Sequence, residues 1–180
     1  MERSRLVFSG SGGQGVITAA IILAKAAAIF EGKNAVQSQS YGAAARGGAT
    51  RSDILISETE INFPKVIQPN ILVSLTQESY RKFSPIIRPG GLLLVDSRYV
   101  TVAKKVDAKH IALPMFDTVM EEIGKPIVFN ICMLGALIGA TGLIGPDSII
   151  QVLEETIPKD FMEMNKKALG MGMKMGENKK

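Results

Sequence analysis

The stretch Ser9-Gly10-Ser11-Gly12-Gly13-Gln14-Gly15 decides the fold class of this chain. It lies between an apolar run, Leu6-Val7-Phe8, and a long amphipathic segment, Val16 to Phe30. A strand, a glycine turn and a helix start in this order bring backbone N–H groups together where the helix dipole favours an anion. Gly10, Gly12 and Gly15 have the G-x-G-x-x-G spacing, which in this setting predicts a phosphate-type turn.

The second predicted strand lacks the residue that a dinucleotide-binding fold requires. Such a fold places an acidic residue about 20 residues after the glycine motif, where it binds a ribose hydroxyl. The corresponding strand here is Ala35-Val36-Gln37-Ser38-Gln39-Ser40, which contains no acid. The sequence therefore predicts a phosphate-type turn without the signature of a nicotinamide nucleotide site.

The composition indicates one domain with a nearly neutral body. The chain has 180 residues, of which 46% are hydrophobic, so it can bury a sizeable core. The net charge is +4, but six lysines and three acids from Lys159 onward leave only +1 for residues 1–158. With 6% aromatic residues and no Trp, the chain also lacks a basic face interleaved with aromatics. Nucleic-acid binding is therefore not predicted.

The reactive side chains indicate no catalytic or metal site on this chain alone. Cys132 is the single cysteine, so no disulfide and no cysteine-ligated iron–sulfur or zinc cluster can form within the chain. Its apolar neighbours predict a buried side chain rather than a nucleophile. His110 is the only histidine and precedes an apolar strand, which favours a structural role. The N-terminus lacks the apolar core of a signal peptide, and this predicts a cytoplasmic location.

Residues 127–145 are uncharged and mostly apolar, close to the length of a bilayer span. They nevertheless contain Asn130, Thr141 and four glycines, and Pro126 and Pro146 bracket them. A buried helix over Ile127–Ala140 followed by a glycine-rich turn explains this pattern better than a membrane span, so no membrane association is predicted.

Strand and helix patterns alternate along the chain, which predicts an α/β fold. We expect a single Rossmann-like layered domain with a mostly parallel central sheet and helices on both faces. Residues 1–170 are expected to form this domain, and residues 171–180 a flexible, Met- and Lys-rich tail. The predicted strands are Arg5–Ser9, Ala35–Gln39, Thr50–Ser57, Ile71–Thr76, Gly91–Asp96 and Lys109–Leu113. The predicted helices are Gln14–Phe30, Gln77–Ile86, Thr118–Gly124, Ile127–Ala140, Asp147–Ile157 and Asp160–Leu169.

A second informative block, Ser38 to Asp53, follows the second strand. We expect it at the same carboxyl edge of the sheet as the glycine turn, where open α/β sheets bind ligands. Arg46 offers a guanidinium fork suited to a carboxylate or phosphate, and Gly47-Gly48 allow a close backbone approach. Taken alone, the block is also compatible with a glycine hairpin and a solvated arginine.

Together these motifs resemble the γ subunit, or γ domain, of 2-oxoacid:ferredoxin oxidoreductases. The form Tyr41-Gly42-x-x-x-Arg46-Gly47-Gly48 is most similar to the 2-oxoglutarate type, although Ala43-Ala44 stand where the family often has Pro and an acid. The matching elements are Gly10 to Gly15, Gln39 to Gly42, Arg46 to Gly48 and Arg51 to Ser57; Pro69-Asn70; Asn130 with Met133 to Ala136; and Asn165 with Ala168 to Gly170.

The resemblance implies a division of labour within a complex. Thiamine diphosphate with Mg²⁺ attacks the 2-oxo carbon, carbon dioxide leaves, electrons pass through [4Fe–4S] clusters to ferredoxin, and the acyl group ends on coenzyme A. Because this chain lacks cluster cysteines and a Gly-Asp-Gly element, those cofactors are expected on α, β and possibly ferredoxin-like δ partner subunits. The chain is then inactive alone, with no catalytic residue and no metal ligand. Its expected contacts to coenzyme A or a phosphate are Gly10, Ser11, Gly12, Gly13, Gln14, Gly15, Tyr41, Arg46, Gly47, Gly48, Ser52 and Asn130.

Two other interpretations stay open at this point. One is a stand-alone nucleotide-binding or NAD-dependent α/β protein, against which the missing acid argues. The other is a structural or membrane-associated interaction protein, which rests on residues 127–145. Purification distinguishes the three, because they predict copurifying cofactor-bearing chains, a self-sufficient protein, and detergent dependence, respectively.

Overall fold

The structure, a computed structural model, describes residues 3–39, 48–103 and 106–179. Its six strands and six α-helices follow one another in the order that the sequence predicts, although β2 to β4 and α3 to α6 are consecutive rather than alternating. The strands are β1 (Ser4–Gly10), β2 (Asn34–Gln39), β3 (Thr50–Ser57), β4 (Ile71–Ser74), β5 (Gly91–Asp96) and β6 (Ala108–Leu113). The helices are α1 (Val16–Lys25), α2 (Gln77–Phe83), α3 (Met115–Glu122), α4 (Phe129–Thr141), α5 (Pro146–Thr156) and α6 (Met162–Glu177). A π-helical segment, Ala26–Phe30, continues α1, and 3₁₀ turns occupy Ser84–Ile86, Pro126–Val128 and Lys159–Phe161.

The six strands form one sheet in the order β2-β3-β1-β4-β5-β6. Strands β1, β4, β5 and β6 pair in parallel, whereas β3 is antiparallel to both β1 and β2. Five strands thus share one direction and β3 alone is reversed, so the prediction of a mostly parallel sheet is confirmed. The reversed strand β3 is joined to its neighbour β2 by residues 40–49.

Side chains alternate between the two faces of the sheet and build a separate core on each. Leu6 and Phe8 belong to the larger core, which α1 and α3 to α6 cover, whereas Val7 belongs to a smaller core on the opposite face. Helix α2 covers that smaller core through Tyr80 and Phe83. Helices therefore lie on both faces, as predicted, but five of the six described α-helices lie on one of them.

Helix α4 accounts for the long apolar segment that could have been read as a membrane span. Residues 129–139 of α4 are all buried within the protein. A helix that is apolar all round is expected at the centre of a core, because every side of it meets another element. Within the ranges that the structure describes, no helix is both long and apolar enough to cross a membrane.

Helix α6 overturns the expectation of a flexible tail from residue 171. Its helical residues extend to Glu177, well beyond the predicted end at Leu169. The glycines of the segment, Gly172 and Gly176, are buried against α4, and the intervening Met173 and Met175 pack on the larger core. Small residues permit this close helix packing. The glycines of this segment therefore serve the packing of α6 on α4 and not flexibility.

Glu31 ties the end of the π-helical segment to the start of α5. Its Oε1 accepts hydrogen bonds from the Gly145 N–H at 2.6 Å and the Ser148 hydroxyl at 3.3 Å. Its Oε2 lies 2.7 Å from Lys33 Nζ. Partial burial acts to raise the pKa of Glu31, but the hydrogen bonds from Lys33, Gly145 and Ser148 outweigh it and hold the pKa below its ordinary value of 4.5.

We expect Glu31→Gln to lower the free energy of unfolding by about 1–2 kcal/mol at pH 7, the range of a lost charged helix cap. Because the folded-state pKa is depressed, the carboxylate stabilises the protein fully above the unfolded pKa and loses this effect as the pH falls through the folded pKa. The difference in Tm between the two proteins should therefore shrink below pH 4.5. Glu154→Gln is the control, since that side chain is 53% exposed; an equal effect of both variants would contradict the cap.

Candidate functional site

The glycine turn lies where the direction of the sheet connections changes. From β1 the chain passes through α1 towards the β2 edge, and from β4 it passes through α2 to β5 on the other side. The adjacent carboxyl ends of β1 and β4 therefore form the crevice in which open α/β sheets bind ligands. The Leu75 N–H donates to the Ser9 carbonyl at 2.9 Å, which joins the two strand ends directly at this point.

Gln14 holds the turn in its shape. Its Oε1 accepts the Ser11 N–H at 2.8 Å, and its Nε2 donates to the Leu75 carbonyl at 3.4 Å. Gly13 and Gly15 have φ values of 85° and 72°, a region that suits glycine. Both polar atoms of the Gln14 amide are thus engaged with the protein, and Gln14 positions the turn rather than presenting a free group.

The start of α1 is open and uncapped. Gly15 is the N-cap residue, makes no side-chain cap hydrogen bond, and is followed by no acid in the first helical turn. A cavity of about 380 Å³ adjoins it. Its lining residues are Ser11, Gly12, Gly13, Gly15, Val16, Ile17, Thr18 and Thr50. The first N–H groups of a helix have no partner within the helix, so this cavity has the chemistry of an anion site.

Two glycines of the turn border empty space. A Cβ built on Gly12 or Gly13 would meet no atom within 4 Å. The φ of Gly12 is not positive, so another residue can adopt its backbone conformation, whereas the positive φ of Gly13 favours glycine. The absence of a side chain at Gly12 therefore keeps the cavity accessible instead of relieving a clash inside the fold.

Asn130 supports the turn from α4. Its Nδ2 donates to the Gly15 carbonyl at 3.3 Å, and a Cβ on Gly15 would lie 2.5 Å from that Nδ2. The side chain is 7% exposed, and among the described residues its Oδ1 has no hydrogen-bond partner. The structure thus brings Asn130 to the glycine turn across 115 positions of sequence.

The second sequence block reaches the same edge of the sheet only in part within the described ranges. Thr50 pairs with Gly10 and lines the cavity, and Gly48 precedes it by two residues. Ser52 is fully buried, where its Oγ accepts from Gln37 at 2.7 Å and donates to the Ser38 carbonyl at 3.3 Å. Ser52 is therefore not among the cavity residues. Tyr41, Arg46 and Gly47 lie outside the described residues.

Thr18 and Thr50 are cavity residues that were not among the expected contacts. Thr18 lies three residues after the last turn glycine, and Thr50 lies within the second block, two residues after Gly48. The first N–H groups of a helix have no partner within it, and Thr18, the third residue of α1, carries one of them, so the predicted helix start could have pointed to Thr18.

The buried titratable groups near the sheet edge have structural roles. Cys132 is fully buried, and burial together with the charge of Asp96 raises the pKa of its thiol to about 12. Burial also raises the pKa of Asp96, whose carboxylate accepts the N–H groups of Arg98 at 2.9 Å and Phe116 at 2.8 Å. Within the described ranges, no group of three His, Cys, Asp or Glu side chains could hold a metal ion.

The fold and site define a class: an α/β domain with a phosphate-type turn at its switch point and, in its described part, no metal-ligand cluster. Residues 5–175 match the family model described as pyruvate ferredoxin/flavodoxin oxidoreductase, and the chain belongs to this family.

Known proteins resemble the chain over nearly its full length. It is 43% identical over 177 residues to 2-oxoglutarate synthase subunit KorC of Methanocaldococcus jannaschii, covering 97% of this chain and 95% of that one. The crystal structure of a keto/oxoacid ferredoxin oxidoreductase gamma subunit from Geobacter sulfurreducens superposes with a TM-score of 0.90 at 39% identity, over 99% and 98% of the two chains. The predicted resemblance to γ subunits of 2-oxoacid:ferredoxin oxidoreductases is confirmed, and a stand-alone nucleotide-binding protein is not favoured.

A second solved structure has the same fold inside a longer chain. It is a 2-oxoglutarate:ferredoxin oxidoreductase from Magnetococcus marinus with 2-oxoglutarate, coenzyme A and succinyl-CoA bound. Its TM-score is 0.86 at 18% identity, over 99% of this chain and 32% of that one. At this identity the likeness shows the fold alone, which there forms about a third of a larger polypeptide.

Proposed function

We propose that this chain is the γ subunit of a 2-oxoglutarate:ferredoxin oxidoreductase and that its glycine turn contacts a phosphate of coenzyme A. The observation that carries the proposal is the uncapped start of α1, which opens on the cavity beside Gly12 and Gly13. The 2-oxoglutarate assignment is supported by the 43% identity to a 2-oxoglutarate synthase subunit.

The residues of the turn fit an anionic group. Helix α1 begins with Val16, Ile17 and Thr18, whose N–H groups lie at its N-terminus. The helix dipole adds about half a positive charge at this end. The first turn contains no carboxylate that would repel a phosphate. Glycines at positions 12 and 13 let a bulky phosphate approach the backbone, which a side chain would prevent.

Arg46 is proposed as a second contact to coenzyme A, or to a carboxylate of the substrate or a neighbouring subunit. The block that contains it also contains Thr50 of the cavity wall, four residues further along the chain. A guanidinium can bond two oxygens of one phosphate through a planar fork of parallel N–H groups, which a lysine lacks. Tyr41 and Gly47 belong to the same block and are proposed with it.

The chain's own residues do not fit the cofactors that supply the redox chemistry. A single cysteine with a thiol pKa of about 12 ligates no iron–sulfur cluster, and no Gly-Asp-Gly element is present in the sequence. We therefore assign thiamine diphosphate, Mg²⁺ and the [4Fe–4S] clusters to α, β and possibly δ subunits of a cytoplasmic complex that reduces ferredoxin. This chain contributes assembly and coenzyme A positioning.

The test is purification of the tagged chain alone and together with the other subunits of its complex. We expect the isolated chain to be colourless, free of thiamine and iron, and inactive towards 2-oxoacids. The reconstituted complex should form succinyl-CoA from 2-oxoglutarate and reduce ferredoxin, in preference to pyruvate or 2-oxoisovalerate. Stoichiometric iron–sulfur in the isolated chain, or a complex that prefers pyruvate, would contradict the proposal.

A further inference from the structure

A second, larger cleft lies beside the glycine turn. Its volume is about 550 Å³, and it runs between α1, the start of α4, the end of α5 and the start of α6. It shares Gly13, Gly15 and Thr18 with the cavity at the start of α1. We call it the apolar cleft, after the residues that dominate its wall: Ile21, Ile22, Ile127, Ile131, Ile157 and Phe161.

The rim of the apolar cleft exposes large hydrophobic side chains. Ile127 is 77% exposed, Phe161 51% and Ile21 38%. Three exposed apolar side chains around one concave surface mark an interaction site, whereas single ones scattered over a surface do not. Ile21 lies on α1, whereas Ile127 and Phe161 lie in the 3₁₀ turns that precede α4 and α6.

A hydrogen-bond acceptor that is unpaired within the described ranges is buried at the inner end of the apolar cleft. Asn130 lines the cleft, is 7% exposed, and has an Oδ1 without a partner among the described residues. Its Nδ2 donates to the Gly15 carbonyl at 3.3 Å. A buried acceptor of this kind needs an N–H or O–H donor from an incoming group.

The charge of the cleft narrows the choice of occupant. Lys25 is the single charged lining residue, it is exposed, and no described acid pairs with it. An occupant must therefore be apolar along most of its length, with an acidic group near Lys25 and an N–H donor near Asn130. An extended peptide segment with aliphatic or aromatic side chains satisfies all three conditions, because its backbone supplies the donor.

We infer that the apolar cleft receives an apolar, acid-flanked segment of the catalytic partner polypeptide of the same complex. This rests on the proposed function. The fold forms 32% of a longer chain in the Magnetococcus enzyme, so in that protein it is joined to the rest of the enzyme. Where such a domain is a separate chain, no covalent link joins it to the rest of the enzyme. One of its surfaces must then bind the polypeptide to which the longer protein links it.

The test is assembly of the tagged chain with the co-expressed subunits of its complex, measured as a Kd by titration of purified components. We expect Ile127→Glu with Phe161→Glu to weaken assembly on the order of 100-fold, while the Tm of the isolated chain stays unchanged. The matched control is Ile67→Glu with Phe63→Glu, whose side chains are 69% and 54% exposed outside the cleft. We expect this control to assemble like the wild type.

Lys25→Glu is expected to weaken assembly about 10-fold at low salt, and less at high salt, because exposed charges are screened. Wild-type assembly of the cleft pair, or an equal loss in the control pair, would overturn the inference and leave the proposed function standing. So would dimerisation of the isolated chain through the cleft, detected by sedimentation, if it is abolished by the cleft pair while assembly persists. Failure of the wild-type chain to assemble would instead contradict the proposed function.

Discussion

Alanine at both Gly172 and Gly176 is expected to lower the free energy of unfolding of the isolated chain by about 3–5 kcal/mol. Overpacking a close contact costs ~1–3 kcal/mol per site, and more where only backbone can yield. For a domain of this size the Tm should fall by roughly 6–20 °C. Thermal unfolding followed by circular dichroism measures the effect.

The physical reason is the close approach of α4 and α6. A Cβ on Gly172 would lie 2.8 Å from the Ala136 nitrogen, and one on Gly176 would lie 2.8 Å from the Ala140 nitrogen. Helix α4 offers glycines to the same contact, since a Cβ on Gly139 would lie 2.9 Å from the Met173 Cα. All of these neighbours are backbone atoms, so the helices themselves must separate to admit a methyl group.

Gly170→Ala is the matched control within the same helix. A Cβ at Gly170 would meet no atom within 4 Å. Alanine favours a helix over glycine by about 1 kcal/mol, so this variant should be equally stable or slightly more stable than the wild type. If the variant with alanine at both Gly172 and Gly176 unfolded at the same temperature as Gly170→Ala, this would contradict the close packing of α6 on α4.

The second large effect is expected at Gly12. We predict that Gly12→Val raises the KM of the assembled complex for coenzyme A about 10- to 150-fold, the range of one or two charged hydrogen bonds worth ~1.5–3 kcal/mol in total. The isolated chain should keep its Tm within a few degrees, because the new side chain enters empty space. Initial rates at several coenzyme A concentrations give the KM, and Gly12→Ala should show a smaller shift.

Gly15→Val separates binding from folding at the same turn. Gly15 has a φ of 72°, and a Cβ there would lie 2.5 Å from Asn130 Nδ2, so this variant should lose stability first. An unchanged KM in the Gly12→Val complex would remove the turn from coenzyme A binding. A loss of stability in Gly12→Val as large as in Gly15→Val would mean that the turn glycines serve strand–helix packing alone.

The sequence predicted the features that depend on neighbouring residues. The strand patterns of the sequence placed all six strands to within a few residues, and the glycine turn between β1 and α1 was recognised from its own spacing. The shared direction of β1 and β2 followed from the helix between them, since a crossover connection returns the chain parallel. The shared direction of the two strands led us to expect the glycine turn and the block from Ser38 to Asp53 at the same edge of the sheet.

Only the tertiary structure decided how distant residues meet. Asn130, near the start of α4, reaches the Gly15 carbonyl, and the Ser52 hydroxyl is hydrogen-bonded to Gln37 and Ser38 within the sheet. No local pattern contains these contacts, since each depends on where a separate element is packed.

The glycines show the same division. In sequence, the run from Met171 to Gly176 resembles the composition of a flexible tail, and the turn from Gly10 to Gly15 is also glycine-rich. In the structure, Gly172 and Gly176 are buried against another helix, whereas Gly12 borders open space. A glycine in a sequence does not indicate whether its Cα lies against another element or against open space. The sequence therefore determined where glycines occur, and the packing of α6 on α4 and the open start of α1 determined what each of them does.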